Sequence, residues 1–173
     1  MNKVFSILFI CCLLITSCSE PSFDNNPNRF ISKPGKFTLV FPEGWINTAV
    51  NSNKIATCYV SRTNPDKTMG IVVTSTNTPI KNPAQQMKFE TNFLKSLSTY
   101  KPAVVQSVTI DGNQATKVTL SAINPSTSIP GTTISYIIFK NNRSFSINCN
   151  FNYEDLAKNE PICTNVMSSF EFF

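Results

Sequence analysis

Read for apolar and polar alternation, the chain separates into a leading apolar block, a polar stretch and a long run of short β-type segments interrupted twice by helical period. Residues 36–41 set Phe37, Leu39 and Phe41 against Thr38 and Val40, the period-two signature of a strand. Pro42-Glu43-Gly44 then turns the chain into Trp45. Residues 55–61 and 69–76 are further β-rich runs, joined through Asn64-Pro65-Asp66. Residues 82–100 change period: Asn82 suits the cap, Pro83 the first helical position, and Met87, Leu94 and Leu97 form one stripe with Phe93 and Tyr100 beside it. Lys101-Pro102 ends that helix. Residues 103–110 and 114–123 flank Asp111-Gly112-Asn113, and residues 132–140 and 143–151 flank Asn141-Asn142, which predicts two hairpins. An irregular loop over 121–131, with Pro125 and Pro130, lies between them. In the last strand Phe145, Ile147, Cys149 and Phe151 alternate with Ser144, Ser146, Asn148 and Asn150, giving one buried and one wet face. Residues 153–170 are helical again, broken or restarted at Pro161, with Ile162, Val166 and Phe170 four apart on one face. Glu171, Phe172 and Phe173 close the chain against the sheet.

Consecutive short hairpins require antiparallel pairing, and two amphipathic helices need sheet surface to cover. The predicted class is therefore α+β, with a central antiparallel sheet of about six to seven strands covered by helices.

The leading block has a different use. Lys3 precedes an almost wholly apolar run from Val4 to Thr16 that is short for a permanent span. It ends Ile15-Thr16-Ser17-Cys18, which resembles the bacterial lipobox, with Cys18 as the lipidated residue. The expected organisation is a lipoprotein signal peptide over 1–17, a lipidated flexible tether over 18–35, rich in Pro and Asn, and one domain over 36–173. Several acyl chains, palmitate among them, would make the anchoring durable where one would not. Ser19 in place of aspartate favours the outer over the inner membrane, so the expected location is the cell envelope, facing the periplasm.

Composition narrows the chemistry. The net charge is +5, and the basic residues are scattered without a run, which gives no nucleic-acid footprint. There is no histidine, so the usual general base and the commonest transition-metal ligand are missing from the chain. No cofactor and no metal site are expected. Beyond Cys18 the mature chain holds Cys58, Cys149 and Cys163. Cys149 lies on the apolar side of its strand and Cys163 beside the last helical stripe, so a disulfide between them is one outcome and buried thiols the other. Cys58 sits in strand-like sequence with no histidine to activate it, which favours a structural cysteine over a nucleophile. Glu154 and Asp155 read as a helix start; Asp24 with Asn25, Asn26 and Asn28 lacks the glycine and glutamate of a calcium loop. Trp45 reads as a core plug rather than an exposed anchor.

The segment Lys36-Phe37-Thr38-Leu39-Val40-Phe41-Pro42-Glu43-Gly44-Trp45 resembles the opening strand and turn of the PsbP-like superfamily, which embraces Mog1 and DcrB-like proteins. The closing hairpin, and the helix that ends in Ser168-Ser169-Phe170-Glu171-Phe172, fit the same pattern. The resemblance implies an α/β/α sandwich and a non-catalytic binding or assembly role, and it brings no matchable ligand residues. The expected function is a non-enzymatic, membrane-anchored envelope lipoprotein whose domain binds a protein partner or a small ligand. The alternatives are a thiol- or carboxylate-dependent hydrolase of the envelope and a purely structural envelope component.

Overall fold

In the computed structural model the described residues are 27–173, apart from 50, 51, 54, 55, 78, 125 and 126. Cys18, the expected signal segment, Asp24 and most of the expected tether lie outside them. The elements in chain order are β1 (Arg29–Ser32), β2 (Phe37–Val40), β3 (Ile46–Asn47), β4 (Ala56–Thr63), β5 (Met69–Thr76), α1 (Pro83–Ser96), β6 (Lys101–Ile110), β7 (Asn113–Ile123), β8 (Pro130–Lys140), β9 (Arg143–Asn152), α2 (Leu156–Ser168) and β10 (Glu171–Phe172). A 3-10 turn, Tyr153–Asp155, leads into α2.

Seven strands form one antiparallel sheet in the order β3-β4-β5-β9-β8-β7-β6, as the alternating pattern requires. A second sheet, β1-β2-β10, joins the two ends of the domain. The second sheet and α2 cover the face that carries Phe145, Ile147 and Cys149; α1 lies over the other face at β6 and β7. The hairpin turns follow from residues that accept positive φ: Asp111 (48°) with Gly112 (69°), and Asn141 (52°) with Asn142 (59°).

Several expectations are corrected. Arg29–Ser32, expected inside the flexible tether, pairs with β2 in register Arg29↔Val40 to Ser32↔Phe37, and Phe30 is buried. The ordered domain therefore starts well before residue 36. Gly35 is needed in the connecting turn, because a Cβ there would stand 2.5 Å from the Phe37 ring. Glu171 and Phe172, expected to close the chain against the sheet, pair with β2 while the Phe172 ring meets Phe145 of the large sheet at 5.1 Å. Pro161 does not break α2, which runs through it from Leu156 to Ser168 with Pro161 on its exposed side. The buried side of α2 carries Asn159, Cys163, Val166 and Met167, with Ile162 only packed at its rim. Ser144, expected on the wet face, is buried because α1 reaches across to it.

Lys117 is a buried exception among the scattered lysines. It lies on the α2 side of β7 at 9% exposure, where its Nζ donates to Glu160 Oε1 of α2. Glu160 is itself partly wet, so removing it leaves a shielded ammonium with only some access to water. Glu160→Ala is expected to cost about 1–2 kcal/mol, while Lys117→Met, which removes the charge and keeps the volume, is expected to be neutral or stabilising. Thermal unfolding of the two variants checks this; Lys117→Met proving the more damaging would refute it.

Candidate interaction face

The candidate site is built on α1. Asn82 Oδ1 accepts from the Gln85 amide at 3.1 Å, and Pro83 needs no partner at the first position, so the helix starts where the sequence predicts. It ends at Ser96, four residues before the expected Tyr100. Ser98 stops it: its hydroxyl donates to Lys101 O at 2.6 Å and accepts from the Ser121 amide at 3.0 Å, tying the chain to β7. At the other end the Ile80 amide donates to Asn142 O at 2.7 Å.

Held at both ends, α1 contributes no buried residue. The expected stripe of Met87, Leu94 and Leu97 is half-buried, and Phe93 is 40% exposed instead of flanking a core. Phe89, one turn earlier, is 65% exposed. Glu90 turns inward, accepting from Gln86 Nε2 and from Ser144 Oγ, each at 2.8 Å. A shallow open cleft of about 580 Å³ lies between the end of β5 and the start of α1, lined by Thr76, Ile80, Lys81, Gln85, Gln86 and Phe89. From sequence alone, Phe89 and the lysine spacing carry no assigned function. The signal was present: Lys81, Lys88 and Lys95 recur every seven residues, and Phe89 and Phe93 are four apart.

Beyond α1, Tyr100 and Tyr153 meet edge to face at 5.1 Å, with Lys101 Nζ 4.8 Å over the Tyr153 ring. The hydrogen bond to the Tyr153 oxygen, strongest once that phenol ionises, raises the pKa of the Lys101 ammonium above its ordinary value. This cluster flanks β6, an edge strand on which Val104 and Val105 are exposed.

The other sequence candidates are dispersed. Cys149 of β9 and Cys163 of α2 come together at full burial, as thiols. Burial and the hydrogen bond with Cys163 push the Cys149 thiol well up. Burial likewise pushes the nearby Tyr136 phenol up to about 12, against the pull of a hydrogen bond from Thr164. Cys58 is buried elsewhere on β4, its sulfur pointing to Val60 O at 3.8 Å. Glu154 and Asp155 lie in the 3-10 turn. Trp45 is half-buried against Phe41, ring centroids 6.1 Å apart. Among the described residues no group of three or more Cys, Asp and Glu could hold a metal ion, and no helix is long and apolar enough to cross a membrane.

Comparison with known proteins places this architecture. The family profile described as PsbP matches residues 25–172. No curated protein matches the chain. Among solved structures, a Bacteroides thetaiotaomicron protein is 15% identical with a TM-score of 0.60, over 84% of this chain; the chain spans about half of that protein, 48%. LpqN of Mycobacterium tuberculosis, described as involved in cell envelope biogenesis, is 12% identical with a TM-score of 0.56, over 88% of both chains. The Saccharomyces cerevisiae Ran-binding protein Mog1p is 13% identical with a TM-score of 0.54, over 85% of this chain and 95% of its own. At these identities the likeness is one of fold, and it is the PsbP/Mog1-like α+β fold that the opening and closing segments resemble.

Proposed function

The chain belongs to the PsbP family, and from that premise we propose that it is a non-enzymatic envelope lipoprotein, anchored through Cys18, whose domain is a binding module with α1 and its cleft as the binding face. The observation that carries this reading is the use of α1: fourteen residues are fixed in place at both ends, none enters the core, and two phenylalanines stand outward. Exposed large apolar groups grouped on one element mark interaction surfaces. The histidine-free composition, the buried Cys58 and the dispersed carboxylates support binding over hydrolysis. LpqN, similar in fold, is described in cell envelope biogenesis, which agrees with an envelope setting.

Two measurements test the reading. Cys18→Ala is expected to move the protein from the detergent phase to the aqueous phase on fractionation; retention in the detergent phase would refute the anchor. A photo-cross-linker in place of Phe93 in cells is expected to give adducts that one in place of Asp66, an exposed loop residue, does not. Equal yields at the two positions would refute α1 as the binding face.

A further inference from the structure

Resting on the reading of α1 as the binding face, we propose that its outward side docks on an anionic phospholipid bilayer. The charge is one-sided. From 69 to 110 the chain carries Lys81, Lys88, Lys95 and Lys101 against one carboxylate, Glu90. Glu90 is spent inward, both of its oxygens accepting hydrogen bonds, one of them from the sheet at Ser144. Lys88 and Lys95 are exposed and, seven residues apart, stand on the same side of α1, while Lys81 is exposed just before its cap. Beside them stand Phe89 and Phe93, one turn apart. A row of ammonium groups next to outward phenyl rings matches the interface of an anionic bilayer, where phosphates meet the lysines and the rings enter the acyl boundary.

The site of chain entry permits this. The described chain begins on the far side of the large sheet from α1, just before β1, where the Asn28 carbonyl accepts from the Phe41 amide. Three packed layers separate that point from α1 by about 20 Å. The nine residues between Cys18 and Asn28 reach at most ~30 Å. A lipid on Cys18 and the face of α1 can therefore touch the same bilayer, with the domain lying on its α1 side. An acidic protein surface would answer the lysines equally; the bilayer is favoured because the anchor already holds it within reach.

The test uses the lipidated protein in vesicles of phosphatidylcholine, with or without one quarter phosphatidylglycerol, carrying brominated acyl chains. In a Trp45→Phe background, the indole introduced by Phe89→Trp is expected to be quenched in the anionic vesicles and not in the neutral ones. The added pair Lys88→Gln and Lys95→Gln is expected to weaken docking by about 30-fold, at roughly tenfold for each 1.4 kcal/mol and near 1 kcal/mol for each lysine. Unmutated protein supplies the check: hydrogen exchange of the α1 amides is expected to slow on anionic vesicles alone. Absence of quenching and of slowed exchange, or equal effects on neutral vesicles, would overturn the proposal. Cross-linking at Phe93 to a protein in that event would leave the binding-module reading standing without the lipid.

Discussion

Phe37→Ala is expected to destabilise the domain by about 3–5 kcal/mol. Phe37 is fully buried where the two sheets meet. Its ring stacks on Phe170 at 5.0 Å and meets Tyr59 edge-on at 5.4 Å, Phe145 at 6.0 Å and Phe30 at 5.9 Å. Those partners come from β1, β4, β9 and the segment after α2, so no single element can shift to fill the hole without moving the others. Urea unfolding gives the measurement. A cost under about 1 kcal/mol would show that the small sheet packs less tightly than described. Phe89→Ala, by contrast, is expected to stay within about 0.5 kcal/mol of the wild type.

Protein matured in an oxidising envelope is expected to carry a Cys149–Cys163 disulfide and to be about 3 kcal/mol more stable than its reduced form, from closure of a loop of some fifteen residues. Each thiol gives up its proton, and the pair passes two electrons to the disulfide of an envelope thiol oxidoreductase, which leaves as a dithiol. Timing follows from burial. The thiolate is the attacking species, and burial holds the Cys149 thiol well above its ordinary range, so the folded reduced domain is expected to oxidise slowly. Reduced protein made in a cytoplasm is therefore expected to stay reduced under mild oxidant until it is partly unfolded. Thiol titration of denatured, unreduced envelope protein decides the matter: one reactive thiol, from Cys58, is the expected result, and reaction at all three of Cys58, Cys149 and Cys163 would refute the bridge.

What could be read from sequence was set by how local its cause is. The Asp111-Gly112 and Asn141-Asn142 turns need positive φ at both central residues, a demand met within the turn itself, and both hairpins fold as the sequence predicts. β9 alternates because both of its neighbours are strands, so its inward set of Phe145, Ile147, Cys149 and Phe151 is legible without knowing the partners. β1 is different. Arg29-Phe30-Ile31-Ser32 is four residues long amid Pro and Asn, and it is a strand only because β2 lies beside it through the turn at Gly35. The end of α1 escaped for a similar reason, since the apolar spacing runs on through Leu97 while Ser98 ties the chain to β7. The face proposed for binding is not legible in the sequence because the apolar spacing singles out the side of Leu94 and Leu97, and the exposed Phe89 and Phe93 fall outside it.

β1 also decides how the domain bears load. A pull on the chain before Asn28 enters at the free edge of the small sheet, because β1 has only β2 for a neighbour and β2 is held on its other side by β10. The four-residue pairing of β1 and the Phe30 plug are the weakest holds on that path, since β1 pairs with no strand of the seven-stranded sheet. Peeling residues 29–36 away would pay out on the order of 25 Å of chain. The domain then has a mechanical fuse at its point of entry: under tension it lengthens by one short step and keeps its main sheet, and it recoils when Phe30 finds its slot again.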